Sequence, residues 1–404
     1  MSIRTNFKHT TIACYIGYIT QVIAGSFLPL LFVTIQQDYH VSLSQISFLV
    51  MLNFGVQLLV DLISTKFLDF IGYRIAIVAA HIFAAVGFLA LGILPKLLLH
   101  PFSGICIAVI LYAVGGGLIE VLVSPIVEAC PNDRKTAAMS ILHSFYCWGC
   151  VLVILLSTLF FTLFGMENWW ILSILWAMIP LFNAVYFSKV PIRTLVEDGE
   201  GMSLGTLIRM KLFWLFVLLM LCAGAAEQAM SQWASAFAES GLQVSKTAGD
   251  LAGPCGFAVL MGISRVLQAK LSKKIPLTVY LYISDALCVG SYLLATLLPN
   301  AILSLCGCIL CGFSVGAMWP GTFRLASESC PKGGTALFAL LALAGDCGCS
   351  SGPTMVGIIS EAFGNHLKIG LFVAVLFPLL FLVGIYFCRK WRNSCESETT
   401  RIGS

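Results

Sequence analysis

The feature that most constrains the fold of this chain is a series of apolar segments, each about 20 residues long, separated by short charged segments. A helix needs about 20 residues to cross the hydrocarbon core of a bilayer. Helices are preferred over barrel strands because these segments are apolar on all sides and show no alternation of polar and apolar positions. We therefore predict twelve transmembrane helices, at residues 10–33, 43–65, 73–94, 102–127, 136–164, 168–188, 211–237, 247–269, 275–297, 300–326, 334–360 and 367–388.

The composition agrees with an all-α membrane protein. Of the 404 residues, 59% are hydrophobic and only 10% are charged, whereas soluble domains carry about 25% charged residues. A chain of this length could not cover a water-facing surface with so few charges. The first apolar segment follows Arg4 and Lys8 but has no small-residue cleavage site, so we interpret it as the first helix and not as a signal peptide.

Lys and Arg residues concentrate in alternate connections. The N-terminus, the C-terminus and the connections that follow even-numbered helices carry most of them, and the other connections keep only Lys96, Lys246 and Lys368. By the positive-inside rule, this distribution predicts a multi-pass protein of the cell membrane with both termini in the cytoplasm. The net charge of +4 then reflects topology, and we expect contact with the lipid bilayer and none with nucleic acid.

The sixteen cysteines are spread through the predicted helices, where buried thiols behave as small hydrophobic groups. They form no clustered polar setting for disulfides or a metal, so we expect no metal and no cofactor. A membrane-embedded enzyme would need a Cys/His, Ser/Lys or H-E-x-x-H constellation, and the sequence contains none. We therefore expect a protein that is not an enzyme.

The two halves of the chain resemble each other. A shift of 200 residues aligns the segment GGGLIEVLVSPIVEACP, residues 115–131, with VGAMWPGTFRLASESCP and places Glu128 on Glu328. A shift of 204 residues places Asp61 on Arg265. Parallel repeats of this kind are typical of the major facilitator fold. The predicted organisation is a six-helix bundle at 1–188, a cytoplasmic linker at 189–210, a second six-helix bundle at 211–388 and a cytoplasmic tail at 389–404.

These features resemble the major facilitator superfamily over nearly the whole chain and, within it, the fucose–proton symporter group. The connection TKFLDFIGYR is similar to the superfamily signature Gly-x-x-x-Asp-Arg-x-Gly-Arg-Arg/Lys at Asp69, Gly72 and Arg74, and departs from it at Thr65, Phe70 and Tyr73. The resemblance implies that Asp69 and Arg74 take part in gating. It also implies that the second helix neighbours the eleventh and the fifth neighbours the eighth.

The fourth helix carries Glu120, Ser124 and Pro125 where the symporter group has Glu-x-x-x-Asn-Pro. A carboxyl group at a helix centre costs a few kcal/mol to insert, so it normally faces the bundle interior or a water-filled cavity. Burial disfavours its charged form, which would let Glu120 take up and release a proton. We therefore assign Glu120 to both substrate binding and proton coupling, the alternative being a structural hydrogen bond between helices.

Other polar residues inside the predicted helices extend this candidate site. In the seventh helix, the spacing from Glu227 to Trp233 is similar to the symporter group, and a flat ring can stack on the C–H face of a sugar. A polar stripe that only joins helices is the alternative. His143 is a candidate proton relay because its unperturbed pKa lies near 6.5, although a lone His is more often a packing residue. The predicted substrate-binding residues are Glu120, Ser124, Gln21, Tyr18, His143, Glu227, Gln228, Gln232 and Trp233.

Asp61 and Asp346 form a second candidate proton site, because the resemblance places their helices side by side. Either the two acids lie close together or one reaches Arg265, and in both arrangements the groups titrate as a set. A gate latch is the alternative role. At the cytoplasmic ends of the fourth and tenth helices, Glu128 and Glu328 are predicted gating residues, together with Arg265 and with Arg324, which lies one turn from Glu328.

The sequence therefore predicts a secondary active transporter that imports a small polar solute, with a sugar favoured, by proton symport and alternating access. We expect it to act as a monomer. A proton-coupled drug or metabolite exporter shares the fold, but the Gly-Pro-rich fifth helix of such exporters is absent from WGCVLVILLSTLFF. A nutrient sensor without transport stays open as a second alternative, although the short tail offers little surface for signalling.

Overall fold

The computed structural model describes residues 3–131, 135–193, 204–271, 274–330 and 334–402. Within these ranges the chain is helical and contains no strand. Eleven helices are long and apolar enough to cross a membrane: α1 Phe7–Tyr39, α2 Leu43–Ser64, α3 Tyr73–Leu97, α4 Pro101–Val127, α5 Phe145–Phe164, α6 Met166–Lys189, α7 Lys211–Gly241, α8 Lys246–Gln268, α9 Leu277–Leu297, α10 Ala301–Ser329 and α12 Leu367–Lys390.

A further long helix, α11 at Gly334–Ala362, occupies the eleventh predicted segment, 334–360. The prediction of an all-α membrane protein is confirmed. Several helices continue beyond these limits, since α2 extends to Ile71 and α5 begins at Lys135. The predicted linker and tail are also partly helical. The linker contains a short helix at Leu204–Arg209, and the last helix continues to Ile402 because no Pro or Gly interrupts its final turns.

Three of the spanning helices, α1, α7 and α8, contain irregular turns. In α1, a 3-10 turn at Leu28–Leu31 separates Phe7–Ser26 from Phe32–Tyr39, and Pro29 lies in this turn, where a regular helix would lose a backbone hydrogen bond. Wide π-type turns end α7 and interrupt α8 at Leu251–Cys255, which contains Pro254. These irregularities lie at the same end of the bundle, and turns of this kind are frequent at functional sites.

The connections explain where the helices end. Gly72 lies between α2 and α3 with a φ of 82°, a backbone conformation that glycine adopts without strain. This is the glycine of the signature-like connection, so its role is a tight turn. Asn300 caps α10, where its side-chain oxygen accepts hydrogen bonds from the backbone N–H groups of Ile302 and Leu303 at 2.9 and 3.2 Å.

The same pairs of helices contact each other in both halves. In the first half, α3 packs on α4 and α6, and α1 packs on α5; in the second half, α9 packs on α10 and α12, and α7 packs on α11. Small residues permit the closest of these contacts, since a Cβ atom at Gly224 would collide with the backbone oxygen of Gly345 on α11. Between the halves, α2 packs on α11 and α5 packs on α8, as the resemblance implied.

Both termini lie at one end of the bundle, which we call the terminal end, and the opposite end is the distal end. The fifteen cysteines whose side chains are described carry free thiols, and most are buried among apolar side chains. One continuous apolar core runs from α1 through the second half of the chain, and a smaller core joins α1, α3, α4 and α6 near the terminal end.

Candidate functional site

A cavity of about 1070 Å³ lies between the two halves of the protein. Its deep part is lined by mid-helix residues such as Gln21 on α1 and Glu120 on α4, and it extends to Lys270 and Ser327 near the terminal ends of α8 and α10. Lys270 is exposed, so the cavity opens at the terminal end. Five of the nine predicted substrate-binding residues line it: Tyr18, Gln21, Glu120, Glu227 and Gln228.

On one wall of the cavity, two residues of α1, Tyr18 and Gln21, form hydrogen bonds to side chains of α4. The side-chain nitrogen of Gln21 donates a hydrogen bond of 2.7 Å to Oε2 of Glu120. One turn along α4, Ser124 shares a hydrogen bond with Tyr18, which also lines the cavity. Glu120 therefore has one polar partner from α1 and faces the space in which a solute would lie.

Two further acids meet next to Glu120. The side chains of Asp61 on α2 and Asp346 on α11 are hydrogen-bonded to each other, and both interact electrostatically with Glu120. Of the two arrangements expected for Asp61, the structure has the one in which the acids lie together. Oδ1 of Asp61 is buried and has no hydrogen-bond partner among the described residues. We call Asp61 and Asp346 the acid pair; it joins the first half to the second.

The opposite wall carries an Arg and a Glu. Nη2 of Arg265 on α8 lies 3.8 Å from Oε2 of Glu227 on α7, and Nε donates to the backbone oxygen of Gly316 at 3.3 Å. The guanidinium carbon lies 6.0 Å from the ring centre of Tyr146, a cation–π distance. Glu227 also accepts a hydrogen bond of 3.4 Å from Gln228. The wall that faces Glu120 across the cavity thus carries one positive side chain, Arg265, and one negative side chain, Glu227.

Trp233 does not line this cavity, so the expectation that its ring stacks on a solute does not fit this conformation. The ring is fully buried, its Nε1 donates to the backbone oxygen of Pro353 at 2.9 Å, and it packs against Phe32. Gln232 lies at the closed end, where it donates to Gln228 and to the backbone oxygen of Gly25 at 3.0 and 3.1 Å. Nearly every residue of α7 from Leu219 to Ala236 is buried, so its sequence did not indicate which of these residues face the cavity.

The distal end is closed by hydrogen bonds between the halves. Nζ of Lys246 donates to the backbone oxygen of Leu30, to Ser235 and to Asp250 at 2.6, 2.8 and 2.8 Å. Lys246 contacts Oδ1 of Asp250, and Oδ2 accepts a hydrogen bond of 3.3 Å from Thr158 on α5. Asp250 is fully buried. We call Lys246, Asp250, Ser235, Thr158 and the Leu30 carbonyl the distal network.

A second contact closes the distal end between α2 and α11. The backbone N–H of Ser44 donates a hydrogen bond of 2.6 Å to Oε2 of Glu361. The carboxylate lies at the start of α2, where free N–H groups and the helix dipole stabilise negative charge. Glu361 lies near the end of α11, in the second half of the chain, and Ser44 lies on α2 in the first half, so this contact also joins the two halves.

Of the predicted gating residues, Arg74, Arg324 and Glu328 lie near the terminal end, whereas the side chain of Arg265 reaches Glu227 inside the cavity. Arg324 and Glu328 form an ion pair of 2.9 Å within α10, with side chains 54% and 43% exposed. Nη1 of Arg74 donates to the backbone oxygens of Phe187 and Ser188 at 2.9 and 3.1 Å, which ties α3 to the end of α6 within the first half. The side chains of the predicted residues Asp69, Glu128 and His143 lie outside the described residues.

Sequence reasoning missed several residues of the site. Trp319 and Phe323 on α10 and Trp148 on α5 also line the cavity. Lys246 and Asp250 were visible only as charges at the start of a predicted helix. The signal that could have identified Trp319 is its position in GAMWPG, which aligns with the GGGLIEV segment around Glu120 in the other half.

In the part of the chain that the structure describes, the membrane-spanning helices enclose a large cavity between the two halves that opens at the terminal end, an arrangement typical of membrane transporters of small solutes. Residues 14–353 match the family profile of the Major Facilitator Superfamily. This match spans most of the chain, and the protein therefore belongs to the major facilitator superfamily. It is a transporter and not an enzyme.

Solved structures with the same fold include transporters of different solutes. A bacterial homologue of the human lysosomal transporter Spinster, in an inward-facing and occupied conformation, superposes with a TM-score of 0.76 at 14% identity, covering 95% of this chain and 97% of that chain. The D-xylose–proton symporter gives a TM-score of 0.76 at 13% identity, with the same coverage. A variant of the E. coli fucose:proton symporter gives a TM-score of 0.64 at 15% identity, covering 96% of this chain and 99% of that chain.

Identities in this range establish the fold of the chain and nothing finer. A search of curated protein sequences gives no significant match. The solute and the coupling ion must therefore be argued from the residues of the cavity.

Proposed function

We propose that this protein imports a small polar solute, with sugars as the favoured class, by proton symport across the cell membrane. Both termini lie in the cytoplasm in this proposal, so the conformation is inward-facing and the distal end faces outward. The protein acts as a monomer that rocks residues 1–188 against residues 211–388. A solute then reaches the cavity from one side of the membrane at a time.

The observation that carries the proposal is the group of three acids at the deep end of the cavity. Two carboxyl groups in hydrogen-bond contact need a proton between them, because two carboxylates at that distance repel. The acid pair, Asp61 and Asp346, joins the two halves. Its protonation is therefore tied to the relative position of the halves, which is the requirement for coupling a proton to alternating access.

Glu120 links the proton to the solute in this proposal. It lines the cavity, receives one hydrogen bond from Gln21 and lies close enough to the acid pair to feel its charge. A neutral Glu120 can donate a hydrogen bond to a hydroxyl group of the solute. Loss of its proton to the cytoplasm removes that donor and adds a charge, so the solute and the proton leave together.

The remaining contacts suit a hydroxylated ring. Gln21, Tyr18 and Gln228 supply hydrogen-bonding groups around the deep end of the cavity. Trp148 and Trp319 supply flat apolar surfaces on the walls, the role that the sequence predicted for Trp233. Amide and carboxyl groups bind hydroxyls, and the C–H faces of a sugar pack on aromatic rings.

The test is solute uptake into proteoliposomes that contain the purified full-length protein. A pH gradient, acidic outside, should drive accumulation of at least one monosaccharide from a panel of sugars, nucleosides and amphipathic drugs, and dissipating the gradient should abolish it. Extrusion of cationic drugs in exchange for protons would reject import and favour the exporter. Binding of a sugar without counterflow of labelled sugar would reject transport and favour a sensor.

A further inference from the structure

The wall of the cavity opposite Glu120 carries several basic side chains, which the binding of a neutral sugar does not require. Three cationic side chains line the cavity, namely Arg265 at its deep part, and Lys270 and Arg324 towards its opening. A charge within a spanning helix is costly and usually serves a function. Arg265 lies in the last turns of α8, within the spanning segment Lys246–Gln268, and its side chain is 27% exposed.

Most hydrogen-bond donors of Arg265 are not used by the described residues. A guanidinium group has five N–H donors. Nε donates to the Gly316 carbonyl at 3.3 Å, and Nη2 makes a weak contact of 3.9 Å with the sulfur of Met261. The 3.8 Å separation from Glu227 is too long for a hydrogen bond, so this pair interacts through charge alone. Several donors therefore remain for another partner.

The guanidinium group is also held in place. The Gly316 carbonyl fixes Nε, and the Tyr146 ring lies 6.0 Å from the guanidinium carbon. A planar, positioned fork of N–H donors matches the two oxygens of a carboxylate or of a phosphoryl group. The cost of ordering the side chain is already met before a ligand binds, which favours specific recognition.

A side chamber extends the basic surface. A second cavity of about 560 Å³ lies between α8, α9 and α10 near the terminal end, and it shares Arg265, Gln268 and Arg324 with the main cavity. Arg324 is paired with Glu328, whereas Arg265 stands between the two cavities with its pairing partner at 3.8 Å. Of the two Arg residues, Arg265 is thus the better placed to take up a new anionic partner.

We propose that Arg265 binds an anionic group of the transported solute, a carboxylate or a phosphoryl group, in place of its loose interaction with Glu227. The inference rests on the proposed function and names its solute class: a sugar acid or a sugar phosphate, whose hydroxyl groups bind at the side of Gln21 and Glu120. Glu227 serves as the counter-ion of Arg265 when no solute is bound.

The experiment compares probes that differ mainly in the anionic group. Binding of glucose, glucuronate and glucose 6-phosphate to the purified full-length protein is measured by calorimetry at constant pH and ionic strength. At least one anion should bind about ten-fold or more tightly than glucose, because a hydrogen bond to a charged group contributes more than a neutral one. A preference for glucuronate identifies the carboxylate, and a preference for glucose 6-phosphate identifies the phosphoryl group. Equal affinity for glucose and both anions overturns the inference.

Substitutions then test the residue. Arg265→Gln should remove the preference for the anion and change glucose binding little, and Arg265→Lys, which keeps the charge without the fork, should restore it in part. Arg209→Gln is the matched control, since Arg209 is exposed at the end of a short helix outside the cavity. An equal loss for anion and glucose in Arg265→Gln would assign Arg265 a structural role and overturn the inference.

A second variant keeps the test decisive if Arg265→Gln does not fold. Glu227→Gln removes the charge that competes for Arg265, so it should tighten anion binding several-fold. Weaker anion binding in Glu227→Gln contradicts the inference.

The proposed function and the proposed role of Arg265 can fail separately. Proton-driven accumulation of glucose without any anion preference leaves the proposed function standing, whereas binding of an anion that depends on Arg265, without uptake, leaves only this inference standing.

Discussion

The two ends of the bundle differ in how the halves meet. At the distal end, the halves are joined by hydrogen bonds through the distal network and through Glu361, and α1, α7 and α8 are irregular there. At the terminal end, the cavity separates the halves, and the described ion pair of Arg324 and Glu328 stays within α10. Among the described residues, the hydrogen bonds that close the cavity at one end are those of the distal end, so the state of the transporter should respond to substitutions there.

The comparison also explains why the distal end needs polar contacts. In a membrane, apolar helix faces gain little from packing on each other compared with packing on lipid, so hydrogen bonds and close packing decide which surfaces associate. A gate held by a few such bonds can open without exposing a large apolar surface to water. The acid pair lies between the two ends, where a proton can bias the equilibrium.

The largest effect is expected for Lys246→Met. Asp250 is fully buried and its main charged partner is Lys246, whose Nζ lies 2.8 Å away. Removing one partner of a buried ion pair costs about 3 to 5 kcal/mol because the other charge stays uncompensated. The distal end should therefore open. The distance between labels introduced at the exposed positions 99 and 302, one in each half, should increase in pulsed electron spin resonance.

Two variants control this experiment. Lys189→Met removes a charge from an exposed position at the terminal end of α6 and should leave the distal distance unchanged. Adding Asp250→Asn to Lys246→Met removes the uncompensated charge and should restore most of the closed population. An unchanged distal distance in Lys246→Met would show that the distal network does not hold the gate.

A smaller effect is expected for Glu361→Gln. The carboxylate accepts a hydrogen bond from the Ser44 N–H at the start of α2. An amide oxygen can still accept this bond but lacks the charge that interacts with the helix dipole, so the loss should be about 0.5 to 1 kcal/mol. The same label pair should show a minor population with a longer distance, and the effect should weaken at high salt, where exposed charges are screened. A change as large as that of Lys246→Met would show that Glu361 holds the distal gate as strongly as the distal network does.

The smallest effect is expected for Arg324→Gln. Both side chains of its ion pair are about half exposed and lie on the same helix, and such pairs contribute less than about 0.5 kcal/mol. The distal distance and the melting temperature should stay within error of the unmodified protein. A strong shift towards the outward-open state would show that Arg324 joins the halves, as the sequence-based gating assignment supposed.

The sequence was sufficient for the architecture because each spanning helix needs a long apolar segment, and such segments are visible one at a time. The segment predicted at 102–127 corresponds to a helix at Pro101–Glu128. The neighbourhood of Asp61 and Asp346 was also within reach, since the family resemblance places α2 beside α11.

Side-chain direction was not predictable for residues on helices that are buried on nearly all sides, such as α7. Trp233 and Gln228 lie on the same helix, yet Gln228 faces the cavity and Trp233 packs into the core against Phe32. The distal network was missed for another reason. Its bonds join α1, α5, α7 and α8. Three of these helices, α1, α7 and α8, have irregular turns at this end, such as the π-type turn at Leu251–Cys255, and such turns leave no periodic signal in the sequence.

In the proposed mechanism, Glu120 couples the proton to the solute. Glu120→Gln has the shape and hydrogen-bonding capacity of the neutral acid, but it cannot release a proton. We expect the variant to bind the solute and to exchange labelled for unlabelled solute between equal pools at a rate close to that of the unmodified protein. Accumulation driven by a pH gradient should be abolished.

The decisive measurement is this pair of assays, exchange and gradient-driven uptake, on the same proteoliposomes, with Glu361→Gln as a carboxyl-to-amide control outside the cavity. Exchange without accumulation in Glu120→Gln, and both activities in Glu361→Gln, is the result that the account requires. Normal gradient-driven accumulation by Glu120→Gln would contradict it, and the proton would then have to be carried by Asp61, Asp346 or Glu227.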